Sequence, residues 1–305
     1  MRHKATTRSC CSFNNAAIVH QPRPMTAQPP HAAPSASRPS SKTALLWLLP
    51  LFALYAAGLV LPLGITILQA IDLGITGWRD LMANSLFTNA AWNTVIDSAE
   101  ITIISVVLAY GIAAAIWRGN PTTRAVLTTL VVISFLTTVL VKVVAFNALL
   151  RDNGAVNAAL LALGVISEPL HLFPGKPAMI IAMVQFAVPF AIFPILGVML
   201  RMDERIEQAA QSLGASAWQV FAHVVLPLTL PGVIASALLV FVICTGFYVI
   251  PATLGAPRDQ LLANVVALYA LQLLDFRVAS AIAMVLVVVV SVLTALYQRA
   301  ERAIR

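Results

Sequence analysis

Six long apolar runs alternate with polar stretches along the chain: 44–68, 96–117, 125–150, 178–200, 232–250 and 278–297. Each holds between 19 and 26 residues, against the roughly 20 that a helix needs to cross the hydrocarbon of a bilayer. They are too long and too uniformly apolar for barrel strands, which run to about ten alternating residues. The pattern predicts an all-α integral membrane protein with six transmembrane helices.

One polar stretch is more than a connector. Residues 203–231, between the fourth and fifth runs, read as an amphipathic helix–turn–helix. Asp203 is a candidate N-cap, and Glu204 beside it suits the positive end of the helix dipole. Ile206, Ala209, Ala210 and Leu213 follow at i, i+3, i+4 and i+7, one helical face. Gly214 is placed to end that helix in a left-handed conformation. Ser216 and Gln219 have capping-box spacing for a second short helix, with Trp218, Phe221 and Val225 along one side. Leu226-Pro227 is expected to break it, and Pro231 to open the fifth span. One reading is a loop resting on the membrane surface. The other is a surface shaped for a docking partner.

Composition supports the membrane assignment. The 305 residues are 60% hydrophobic and 10% charged, with a mean hydropathy of +0.89, where soluble domains carry about a quarter charged residues. The net charge of +7 does not point to nucleic acid, because the basic residues gather at span ends and in the N-terminal tail. With the N-terminus inside, the inner regions hold thirteen Lys and Arg and the outer loops five. That bias predicts both termini in the cytoplasm and places 203–231 there too. Residues 1–43 read as a disordered basic cytoplasmic tail without a signal-peptide core, Met25 is the expected true start, and 298–305 form a second cytoplasmic tail. Cys244 suits span packing, Cys10 and Cys11 sit where thiols stay reduced, and no Cys/His spacing suggests a metal.

Within the polar hairpin the order is Ala209-Ala210, three residues, Gly214, nine residues, Val224, one residue, then Leu226-Pro227. This resembles the EAA signature of ABC-importer permeases. The likeness runs from about Asn93 to Tyr297 and is greatest to permeases of the spermidine/putrescine type. Asn93-Thr94 before the second run fits that family. So does Lys142-Val143-Val144-Ala145-Phe146 with Gly154 and Asn157, where the family reads Arg-x-Tyr-Ala-Trp and Gly-x-x-Asn. Pro189-Phe190 with Pro194 resembles its broken fourth span, and the stretch from Gly246 to Pro251 its fifth-span ending.

The resemblance implies a type I ABC-importer (MetI-like) permease fold over 89–297, with residues 44–68 as a first helix outside the shared core. It implies a bacterial inner-membrane location, a cytoplasmic ABC ATPase dimer carrying ATP and Mg, a second permease subunit (a heterodimer in polyamine-type systems, though a homodimer stays open), and a periplasmic solute-binding protein. No cofactor is expected in this chain, which has no G-x-x-x-x-G-K-[ST] loop for phosphate, and transport rather than catalysis is the expected role. Glu207, Gln208, Ala209, Ala210, Gly214, Leu226 and Pro227 become the candidate ATPase-coupling residues. Gln208 stands where the signature has Glu. Glu207 is adjacent, but points about 100° away on a helix.

Ionisable residues inside spans cost about 2.5–3.5 kcal/mol on insertion scales and are functional candidates by default. Lys142 lies nine residues before Arg151, roughly 13 Å along a helix. It either snorkels or pairs with a neighbour, or it lines the translocation path. Asp97 and Glu100, three apart, read as interfacial charges, as attraction points for a cationic solute, or as partners for Lys142. Pro189 and Pro194 are expected to break the fourth helix, as a packed kink or as part of a gate. The competing reading is a self-powered carrier or channel, which predicts intramembrane charge chains; only Lys142 lies deep.

Overall fold

A computed structural model describes residues 41–304. The expectations for Met25, Cys10, Cys11 and most of the basic tail fall outside the described residues. The chain divides into two compact units at Leu54/Tyr55. Of the first, only the opening turns of one helix are described; the second, from Tyr55 onward, holds every other described element.

Every regular element among the described residues is helical. In chain order they are α1 (Ser41–Asp72), α2 (Gly74–Ala83), α3 (Ser85–Arg118), α4 (Pro121–Leu136), α5 (Val139–Leu150), α6 (Ala155–Ala162), α7 (Lys176–Met199), α8 (Glu204–Ser212), α9 (Ala217–Val220), α10 (Leu226–Thr245), α11 (Val249–Leu254), α12 (Leu262–Ala267) and α13 (Phe276–Ile304). Their starts follow local chemistry. The Asn84 side chain accepts from Leu86 N–H at 2.8 Å to cap α3. Prolines occupy the first turns of α4 and α7, where a missing N–H costs nothing.

Among the described residues, five helices are long and apolar enough to cross a membrane. The third expected span, 125–150, is not one helix. It is broken after α4 and resumes as α5 at a bend of 99°. Thr137 and Thr138 lie at the break with extended ψ values of 125° and 148°. The Thr137 backbone N–H and hydroxyl both bond the Ile133 carbonyl, a side-chain competition that loosens a helix end. The break leaves α5 packed against α7, α6 and α11.

The prolines of α7 also act differently from expectation: the helix runs through Pro189 and Pro194 without interruption. Each proline costs α7 one backbone hydrogen bond, leaving the Gln185 and Phe190 carbonyls without a helical donor, and Ser236 of α10 donates close by, to the Ala191 carbonyl at 3.0 Å. Likewise Leu226-Pro227 does not end the second hairpin helix. A π-helical turn at Phe221–Val225 joins α9 to α10, widening the backbone just before Pro227 so that its ring is accommodated. The fifth span therefore begins at Leu226, and Pro231 sits inside it. Residues 298–304, expected as a tail, continue α13.

Helices α3, α7 and α10 pack on one another to form the main core. Ala109 and Ala113 of α3 and Ala178, Ala182, Ala187 and Ala191 of α7 are all buried, so the backbones approach closely, as small residues permit in membranes. The α7–α10 contact is close at Gly232, where an added Cβ would lie 3.0 Å from the Pro194 carbonyl oxygen and 2.9 Å from Val198 Cγ2. Gly232→Val is expected to lower stability by about 1–3 kcal/mol through overpacking, read as a fall in the unfolding temperature of the purified protein in detergent. A second cluster joins α2, the start of α3, α12 and α13 through Leu81, Phe87, Leu262 and Ile282. Outward residues such as Ile103, Val107, Leu140 and Val144 stay exposed, as helices facing lipid require.

Candidate functional site

The hairpin at 203–231 is built by the caps its sequence carries. Asp203 Oδ1 accepts from Arg205 N–H at 2.9 Å at the start of α8. Gly214 closes α8 at a φ of +87°, a left-handed conformation that glycine adopts without Cβ strain. Ser216 and Gln219 form a reciprocal capping box at the start of α9.

The hairpin shows two faces. Val220 and Val225 are buried toward the core, whereas Leu213 is 89% exposed and Trp218 72%. Gln208 and Ala209 are exposed as well, and Ala210 is half-buried. Trp218 and Val225 thus do not share one side, because the π-helical turn shifts the register between them. The outer face thus presents large apolar side chains, Leu213 and Trp218, among polar ones.

Two residues of α3, Tyr110 and Arg118, tie this hairpin to it. Tyr110 bonds Thr229 at 3.1 Å, and the Thr229 hydroxyl donates to the Val225 carbonyl at 2.8 Å, so Tyr110 is the donor. The Tyr110 ring also meets Phe221 edge-on at 5.9 Å. Arg118, in the last turn of α3, donates Nη2 to Glu207 Oε1 at 2.6 Å. None of these pairs was foreseen from sequence, since the partners are about ninety residues or more apart.

In the N-terminal half of α3, Asp97 and Glu100 meet Lys176 of α7. Asp97 Oδ1 lies 2.6 Å from the ammonium and Glu100 Oε2 3.4 Å. Asp97 is buried, with its side chain 3% exposed. It is paired within the bundle, and both acids face Lys176 rather than Lys142. The expectation failed because Lys176 reads as a loop residue in sequence, while the fold makes it the first residue of α7.

Lys142 is 7% exposed on α5. Its ammonium lies 5.6 Å from the centre of the Phe186 ring, near enough for a cation–π attraction, and it has no carboxylate within ion-pair distance among the described residues. Phe186 stacks with Phe247 at 4.5 Å and with Phe190 at 5.3 Å. Pro189 is buried beside this aromatic group. The Gly-x-x-Asn spacing has a structural use. A Cβ at Gly154 would fall 2.3 Å from the Leu149 carbonyl oxygen. Asn157 bonds both backbone groups of Leu170, pinning the long connection to α7. Asn93, likewise, donates to the Arg258 carbonyl at 2.8 Å. Among the described residues no group of three His, Cys, Asp or Glu is placed to hold a metal.

Apolar spans packed through small residues, with a capped polar hairpin between two of them, make this a polytopic membrane protein. The chain belongs to the family of binding-protein-dependent transport system inner membrane components, which matches residues 106–305. It is 32% identical over 219 residues to the spermidine/putrescine transport system permease protein PotB of Haemophilus influenzae, covering 72% of this chain and 77% of that protein. PotB of Escherichia coli is 30% identical over 201 residues, covering 66% and 73%. A bacterial alginate ABC transporter in complex with a pentasaccharide-bound periplasmic protein shares the fold, with a TM-score of 0.71 at 19% identity over 86% of this chain and 96% of that one. The chain is thus a multi-pass inner-membrane permease subunit with the MetI-like fold.

Proposed function

We propose that this permease imports a polyamine of the spermidine/putrescine kind, driven by ATP hydrolysis on a separate cytoplasmic ABC ATPase dimer. The observation that carries the reading is the projecting hairpin, with Leu213 and Trp218 exposed at its tip and its base clamped to α3. Gln208, Ala209, Ala210 and Gly214 form the docking side, Glu207 beside them turns inward onto Arg118, and Leu226-Pro227 joins the hairpin to α10. ATP and Mg bind on the ATPase. A periplasmic binding protein delivers solute at the opposite end, and a second, different permease completes the path. Both termini lie in the cytoplasm, by the Lys/Arg bias.

The polyamine assignment rests on the relatives that bear that name. Charge supports it at the entry end. Asp97 and Glu100 carry one more negative charge than Lys176 neutralises, which attracts a polycation. Lys142, Pro189 and Pro194, with the aromatic group around Phe186, line the path in this reading. As a cation Lys142 does not itself attract a polyamine; it sets the charge inside the narrow part.

Proteoliposomes holding this permease with the neighbouring permease, ATPase and binding protein test the proposal. Uptake of labelled spermidine is expected only with all components and ATP, and unlabelled putrescine should compete. Uptake driven by an ion gradient without the ATPase would favour the self-powered carrier. ATP-driven uptake of another solute with no competition by polyamines would remove the substrate assignment alone.

A further inference from the structure

The hairpin's first helix, α8, hardly touches the bundle. Its packing is with α9 and the π-helical turn, both of the same hairpin. Between α8 and the α3–α4 corner lies an open cleft of about 590 Å³, bordered by Trp117, Arg118, Arg124, Glu207, Gln208 and Gln211. Across that gap runs one side-chain hydrogen bond among the described residues, from Arg118 to Glu207. Glu207 is mostly covered, at 17% side-chain exposure. Arg118 is half exposed, and its guanidinium lies 5.3 Å from the Trp117 ring centre, which fixes its direction.

A helix pushed by a docked partner moves the bundle only through groups that resist the push. Side-chain packing between α8 and α3 is replaced here by the cleft, so the ion pair is the stiff link. Its other end lies on α3, whose buried face packs on α7 and α10. Tyr110 is the second anchor, about 12 Å further along α3 at 1.5 Å per residue, and it holds α10 and the π-helical turn rather than α8. Removing the Glu207–Arg118 link would therefore free α8 while leaving the rest of the hairpin anchored.

We infer that Glu207, acting through Arg118, is a positioning residue for energy coupling: the pair is a strut that carries displacement of α8 into α3. The neighbouring position, Gln208, faces outward without charge. The chain thus keeps a carboxylate in the hairpin but turns it inward onto its own α3. The inference rests on the proposed docking of an ATPase at this hairpin.

The test is the assembled transporter in proteoliposomes, with ATP hydrolysis and solute uptake measured on the same samples. Glu207→Gln is expected to leave the ATPase bound and hydrolysing, while solute moved per ATP falls about tenfold, within the usual range for a coupling link. Arg118→Gln should give the same loss, because either change breaks the same strut. The reversed pair, Arg118→Glu with Glu207→Arg, should restore most of the ratio. An unchanged ratio in both single variants would overturn the inference. So would loss of the ATPase from the Glu207→Gln complex alone, which would put Glu207 in the docking contact. Failure of the reversed pair to recover in a complex that still assembles would also overturn it. If the wild-type permease itself retained no ATPase, the docking proposal would fall first, which separates the two failures.

Discussion

Gly214→Pro is expected to abolish solute uptake while the protein still inserts in the membrane. The position has a φ of +87°, and proline is held near −65°. Proline also removes the N–H that Gly214 donates to the Gln211 carbonyl at 2.9 Å. The combined cost is about 3 kcal/mol or more, over a hundredfold in the population of the native hairpin. A graded series separates conformation from side-chain bulk. An added Cβ meets nothing within 4 Å, so alanine and asparagine are penalised by backbone conformation alone. Asparagine tolerates the left-handed region better than alanine. Uptake should fall in the order Gly, Asn, Ala, Pro, and ATPase retention should follow it. Uptake that ignored this order would show that the hairpin turn does not couple.

Lys176→Met is expected to destabilise the protein more than the double change Lys176→Met with Asp97→Asn. The single variant leaves the buried Asp97 carboxylate beside Glu100 with no cation, at a cost of about 2–4 kcal/mol. Neutralising Asp97 removes that buried charge, so the double variant should recover much of the loss. Thermal unfolding in detergent reads both. A single variant as stable as the double would mean that water or a nearby group already serves Asp97, and that the ion pair does not hold α3 to α7.

The membrane class and the hairpin were legible because both are local. Hydropathy over about 20 residues marks a span, and Asp203, Gly214, Ser216 and Gln219 each act within one turn of their own position. What stayed hidden was long-range or depended on geometry. The Thr137-Thr138 break lies in an apolar run whose hydropathy gives no warning, yet it sets the direction of Lys142. Proline was overread three times. Pro189 and Pro194 lie within an unbroken α7, and a π-helical turn precedes Pro227 so that the helix continues past it. The partner of Asp97 was missed because the boundary of α7 falls two residues before the expected one. The Gly154 and Asn157 pattern was recognised by resemblance, and its physical use appears only in the fold, where one avoids a carbonyl and the other holds the connection to α7.

The central claim is that 203–231 is a cytoplasmic docking surface for a separate ATPase. Site-directed cross-linking tests it most directly. Leu213→Cys and Val165→Cys, both at exposed positions, would be introduced singly with the native cysteines replaced, in the assembled transporter. Leu213→Cys is expected to cross-link to the ATPase and to be labelled by an impermeant thiol reagent from the cytoplasmic side only. Val165→Cys should be labelled from the periplasmic side only and give no ATPase product. Periplasmic labelling of Leu213→Cys, or an ATPase cross-link from Val165→Cys in its place, would contradict the claim.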